Sequence, residues 1–118
     1  MVRVQNEQQP DRYRTGIQFR RFANAMRRIP EGAIVGYISN VNARELRGMA
    51  AFAGTQYAIA PRLLLEHTSP HVKGVVIGNF SAEVQPEQMI QILTEQPYLK
   101  LEENLGDGVV LFRKESGE

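Results

Sequence analysis

The sequence predicts an α/β domain, in which helices pack on a mixed, mostly parallel sheet of about five strands and a C-terminal hairpin closes the chain. Three observations carry that expectation. Short continuous apolar runs, AIVGYIS at 33–39 and VKGVVIGNF at 72–80, have the composition of strands buried on both faces. Segments beside them repeat apolar residues at steps of three and four, the spacing of one helix face. Their order is strand, helix, strand, then strand, helix, strand, then two strand-like runs around Gly-Asp-Gly, which is a layered α/β arrangement. A chain of 118 residues is long enough for one such core and too short for two.

Each element has a local cause. Residues 1–14 are polar and contain Pro10, so they are expected to be a linker or disordered, with the domain covering 15–118. From Thr15 to Ile29 the residues Phe19, Phe22, Met26 and Ile29 share one sector of a helix. Arg20, Arg21, Asn24, Arg27 and Arg28 fall on the other side, and IPEG at 29–32 ends the helix. After the strand at 33–39, Asn40 and Asn42 are turn and N-cap candidates. Ala43 to Ala60 reads as a second helix with Leu46, Met49, Ala53, Tyr57 and Ala60 as its inner stripe, and Pro61 stops it.

Leu63–Leu65 forms the next strand and HTSPH at 67–71 a loop. That loop is short for a parallel crossover, which normally needs a dozen residues or more, so a mixed sheet is expected. Pro86 and Glu87 open a third helix whose apolar side is Met89, Ile90, Ile92 and Leu93, and Pro97 stops it. Tyr98–Glu102 and Val109–Phe112 flank the turn of the expected hairpin.

Composition excludes several functions. The net charge of +1 is too small for a dedicated nucleic-acid binder, so no nucleic-acid partner is expected. Cysteine is absent, which removes disulfides, thiolate metal sites and cysteine nucleophiles. No apolar run approaches the roughly 20 residues that span a bilayer, and the N-terminus has no signal-peptide core. His67 and His71 are separated by Pro70, which breaks the helix that would align them, so they read as loop residues. Ser39, Ser69 and Ser81 lack the setting of an activated nucleophile. No G-x-G-x-x-G or P-loop lysine is present. No catalytic residue, metal or cofactor is expected, and the chain reads as a non-enzyme.

Two candidate surfaces remain. In open α/β sheets ligands sit beyond the carboxyl ends of the strands. Ser39, Asn40 and Asn42 belong to one such end, and Gly78, Asn79 and Ser81 to another, so these six are the candidates for a small polar ligand. Arg20, Arg21, Arg27 and Arg28 are the candidates for an anionic membrane surface or an acidic partner. Tyr57, Pro61 and Arg62 read as the joint between helix and strand, with the Arg62 charge reaching solvent.

IPEGAIVGYIS, AGTQYAIAPRLLL and VVIGNF together resemble a segment of bacterial multi-spanning membrane proteins, some similar to integral-membrane lipid-linked-sugar glycosyltransferases. Pro30, Gly36, Tyr57, Pro61 and Arg62 carry the likeness, which covers roughly residues 29–80. It implies an extramembrane accessory or ligand-sensing domain, membrane-attached through its parent protein on the extracytoplasmic side, with the cytoplasmic side as the alternative. Its partners would be the membrane surface or the parent's transmembrane part. The other reading is a free-standing domain that binds a small polar ligand or a protein at the sheet's carboxyl edge.

Overall fold

The computed structural model describes residues 15–41 and 45–115; the polar opening at 1–14 and the candidate Asn42 lie outside them. In chain order the elements are α1 (Thr15–Met26), β1 (Ile34–Ser39), α2 (Leu46–Ile59), β2 (Leu63–Glu66), β3 (Val75–Asn79), α3 (Pro86–Glu95), β4 (Leu99–Gly106) and β5 (Val109–Lys114). The strands form one sheet in the order β2-β1-β3-β5-β4.

Parallel pairing is confined to β2, β1 and β3, and both ladders made by β5 are antiparallel and longer. The sheet is mixed as expected, but the expected predominance of parallel pairing is corrected, because the longer ladders are antiparallel. The cause is β5, which runs against β3 from Val75↔Arg113 to Asn79↔Val109. At the turn between β4 and β5, Gly106, Asp107 and Gly108 all have positive φ. A side chain at Gly108 would run into the Phe80 carbonyl, so the close approach needs glycine there.

Alternation along the strands builds two cores. Val35, Tyr37, Leu64, Ile77, Val109 and Leu111 face α1 and α2, where Phe22, Ala25, Ile29, Ala58 and Ile59 meet them. On the opposite face Val76, Val110, Phe112 and Leu99 pack with Val72, Phe80 and Val84, against Met89, Ile92 and Leu93 of α3. Ile90, expected on the inner side of α3, is exposed.

β2 and β3 flank β1 and run parallel to it, so residues 67–74 make the parallel crossover that their length argued against. The route is short because it lies directly on β1. A Cβ at Gly36 would stand 2.8 Å from Val72 Cγ1 and 3.3 Å from the His67 Cα. Glycine opens the channel through which the connector returns, and Val72 fills it.

The expected stripe of α2 is its outer face. Leu46, Met49 and Tyr57 are 75%, 51% and 59% exposed, and Ala53 and Ala60 are exposed too. The buried residues are Gly48, Gly54, Thr55, Ala58 and Ile59. Small residues on that side let the helix approach the sheet, and Phe52 meets Tyr37 edge-on at 4.9 Å.

Arg62 also departs from expectation, being only 7% exposed. Its guanidinium donates to the carbonyls of Ile29 at 2.9 Å, Met26 at 3.1 Å and Ile59 at 3.2 Å. Met26 and Ile59 are the last residues of α1 and α2 and Ile29 lies just past α1, a place where helix-end carbonyls and the helix dipoles favour a cation. The joint is thus a shared cap for two helices.

Gln56 closes the open margin of the sheet. Its amide donates to the Arg62 carbonyl at 2.7 Å and accepts the Leu64 N–H at 2.8 Å. One side chain thereby occupies the place of a neighbouring strand.

Candidate functional site

A groove of about 340 Å³ opens between α3 and the carboxyl ends of β1 and β2. Its floor is Ile38, Phe80, Val84 and Ile92. Ser39, Asn40 and His67 come from the strand ends, and Gln88, Gln91, Glu95 and Gln96 from α3 and its exit. The placement follows from the fold: β1 and β2 deliver their last residues to one edge, and α3 stands beside them.

Much of the polar rim is fixed by bonds within the chain. Asn40 donates to Ser81 Oγ at 3.0 Å and accepts the Ser81 N–H at 3.1 Å, which locks the β1 exit to the β3 exit. Ser39 Oγ accepts the Val41 N–H at 3.0 Å. Gln88 accepts the Gln85 N–H at 2.9 Å as half of a reciprocal capping box at the start of α3. Gln91 donates to Glu95 at 3.1 Å. Capacity remains on Asn40, Gln88 and Gln91, because a side-chain amide has two N–H donors and two lone pairs.

His67 is held by a short relay. The Tyr98 hydroxyl lies 2.7 Å from His67 Nδ1 and donates to Gln96 Oε1 at 2.8 Å, and the two rings stack at 6.0 Å. A hydroxyl has one proton, so with that proton on Gln96 the Nδ1 donates to the hydroxyl, and in the neutral ring Nε2 then keeps its lone pair. Burial, and next the Lys114 ammonium, hold the His67 pKa below its ordinary 6.5. Lys114 is pinned nearby, donating to the carbonyls of His67 at 2.8 Å and Ser69 at 3.0 Å. Burial also raises the Tyr98 pKa, so the hydroxyl keeps its proton.

The sign of the resulting pH effect is fixed. The folded chain prefers neutral His67, so the unfolded chain binds the proton first as pH falls. The contribution is complete above about 6.5 and is lost progressively below it. We expect His67 to titrate below 6.5 by NMR, and His67→Gln to flatten the decline in stability between pH 7 and pH 5. A midpoint at or above 6.5 would contradict this geometry.

Of the six ligand candidates, Ser39 and Asn40 line the groove and Ser81 braces it. Gly78 and Asn79 do not belong to it. Gly78 is buried where a Cβ would meet Phe80 and Phe112. Asn79 faces the other core, donating to Tyr37 Oη and Thr55 Oγ1 at 3.2 Å each. The alternation of β3 side chains puts it on the face away from α3.

Sequence reasoning passed over His67 and the α3 residues. The signal available was the spacing of Gln88, Gln91 and Glu95, which places three polar residues along one side of a short helix.

The arginine face is divided. Arg21 turns inward and donates to the Asp107 carbonyl at 2.8 Å and the Phe80 carbonyl at 3.3 Å, tying α1 to the β4–β5 turn. Arg28 pairs with Glu103 at 2.7 Å, Arg27 bonds Asn24, and Arg20 is exposed. Of the four proposed surface arginines, Arg21 is therefore structural. Among the described residues no helix is long and apolar enough to cross a membrane, and no cluster of His, Asp and Glu could hold a metal.

Comparison with protein-family models, curated proteins and solved structures gives no match to this chain.

Proposed function

We propose that this chain is a non-catalytic ligand-sensing domain that binds a small polar molecule in the groove between α3 and the carboxyl ends of β1 and β2. The observation that supports it is the groove's rim. Amides, a carboxylate and a neutral imidazole surround an apolar floor within a space of small-ligand size. The Asn40–Ser81 bonds and the His67–Tyr98–Gln96 relay fix much of that rim in advance, which lowers the ordering cost of binding. An accessory role in a larger membrane protein is the setting implied by the sequence resemblance, and a sensing groove is compatible with it.

The test is a titration followed by amide chemical shifts, using a set of neutral sugars and polyols. Shifts should concentrate at residues 38–40, 67 and 88–96, and Asn40→Ala should weaken binding about five-fold, as loss of one bridging amide does. Perturbations confined to α1 and α2, or none for any compound, would overturn the reading.

A further inference from the structure

We propose that the groove selects a hydroxylated amine, a small organic monocation, with Glu95 receiving the ammonium group. This deepens the binding function proposed for the groove and rests on it. Glu95 is the one acidic residue in the lining, and the lining contains no lysine or arginine. Among the described residues its carboxylate is met by the Gln91 amide and by no cation.

Its position strengthens the field. Glu95 is the last residue of α3, and no basic residue stands in that final turn. The carboxyl end of a helix carries partial negative charge from its unpaired carbonyls, so an acid there opposes the helix dipole. A helix optimised for stability alone would place lysine or arginine at this point. The carboxylate and the helix end instead add their negative potentials at one wall of the groove. An acid that opposes its own helix dipole is met at functional positions.

The remaining groups define the rest of the ligand. Gln88 and Gln96 have their oxygens engaged and NH2 groups left to donate. Gln91 donates to Glu95 and has its oxygen left to accept. Donors and acceptors side by side suit hydroxyl groups, which do both. Phosphates and carboxylates lack a cationic partner there and would meet Glu95.

A matched series tests the proposal: glucosamine, glucose and glucose 6-phosphate, titrated by calorimetry and amide shifts at low salt and slightly acid pH. Glucosamine should bind about five-fold more tightly than glucose, and the phosphate most weakly, as one partly exposed charge pair allows. Glu95→Gln should abolish the preference for glucosamine, so that glucosamine and glucose bind that variant equally. High salt should erase the same preference. Equal binding of glucosamine and glucose at the groove residues would overturn the cation preference while leaving the groove as a binding site. Binding of none of the three at the groove would overturn both.

Discussion

Arg62→Ala should cost about 3–4 kcal/mol of stability, a fall in melting temperature of roughly 15 °C for a domain of this size. The substitution removes the guanidinium from the carbonyls of Ile29, Met26 and Ile59, of which Met26 and Ile59 keep only a backbone N–H, and opens space between two helix ends. Each hydrogen bond from a charged donor to a buried acceptor is worth about 1.5–3 kcal/mol, and the three are not additive because they share one side chain. Arg62→Lys should recover less than half of the loss, since an ammonium cannot reach three carbonyls with the planar fork of a guanidinium. Chemical denaturation of the three proteins measures this. A loss under about 1 kcal/mol for Arg62→Ala would show that the two helix ends are held by other means.

Gly36→Val should be strongly destabilising, and Gly36→Ala should destabilise by about 2 kcal/mol. Two effects oppose each other. Replacing a strand glycine with a β-branched residue favours the strand by up to about 1 kcal/mol. Against that, the new Cβ would sit 2.8 Å from both Val72 Cγ1 and Val76 Cγ2, with the backbone of His67 just behind. Overpacking of a buried site costs about 1–3 kcal/mol, and the clash wins. Gly32→Ala and Gly74→Ala, where a Cβ meets nothing, should be close to neutral and serve as controls. Combining Gly36→Ala with Val72→Ala should cost less than the sum of the two single changes. Strict additivity would mean that the connector does not rest on β1 at this point.

The sequence made the frame of the fold legible where one physical requirement dominated. AIVGYIS had to enter the sheet, though its Ile34 is 40% exposed, Pro61 had to end a helix, and Gly-Asp-Gly had to turn. It left α2 ambiguous because two stripes satisfy helical spacing equally. One holds Leu46, Met49 and Tyr57, and the other Gly48, Thr55, Ala58 and Ile59. What separates them is how near the helix lies to the sheet, a tertiary quantity. The crossover was misjudged for a related reason, because Gly36 and Val72 are far apart in sequence and shorten the path only together.

The candidate groove was half legible. Strand polarity pointed to Ser39 and Asn40, and alternation along β3 then removed Asn79 to the opposite core. The wall made by α3 could not be foreseen without knowing on which face that helix lies. Arg62 was read as solvent-reaching because its three acceptors belong to the ends of two separate helices.

The amide of Gln56 has a bearing on how the molecule tolerates company. With the Arg62 carbonyl and the Leu64 N–H already engaged, and the Glu66 carbonyl taken by Ser69, little of the β2 backbone is left to seed a ladder with a stranger. At the far margin the register of β4 shifts twice. Both margins of the sheet are therefore poor templates for edge-to-edge pairing between copies.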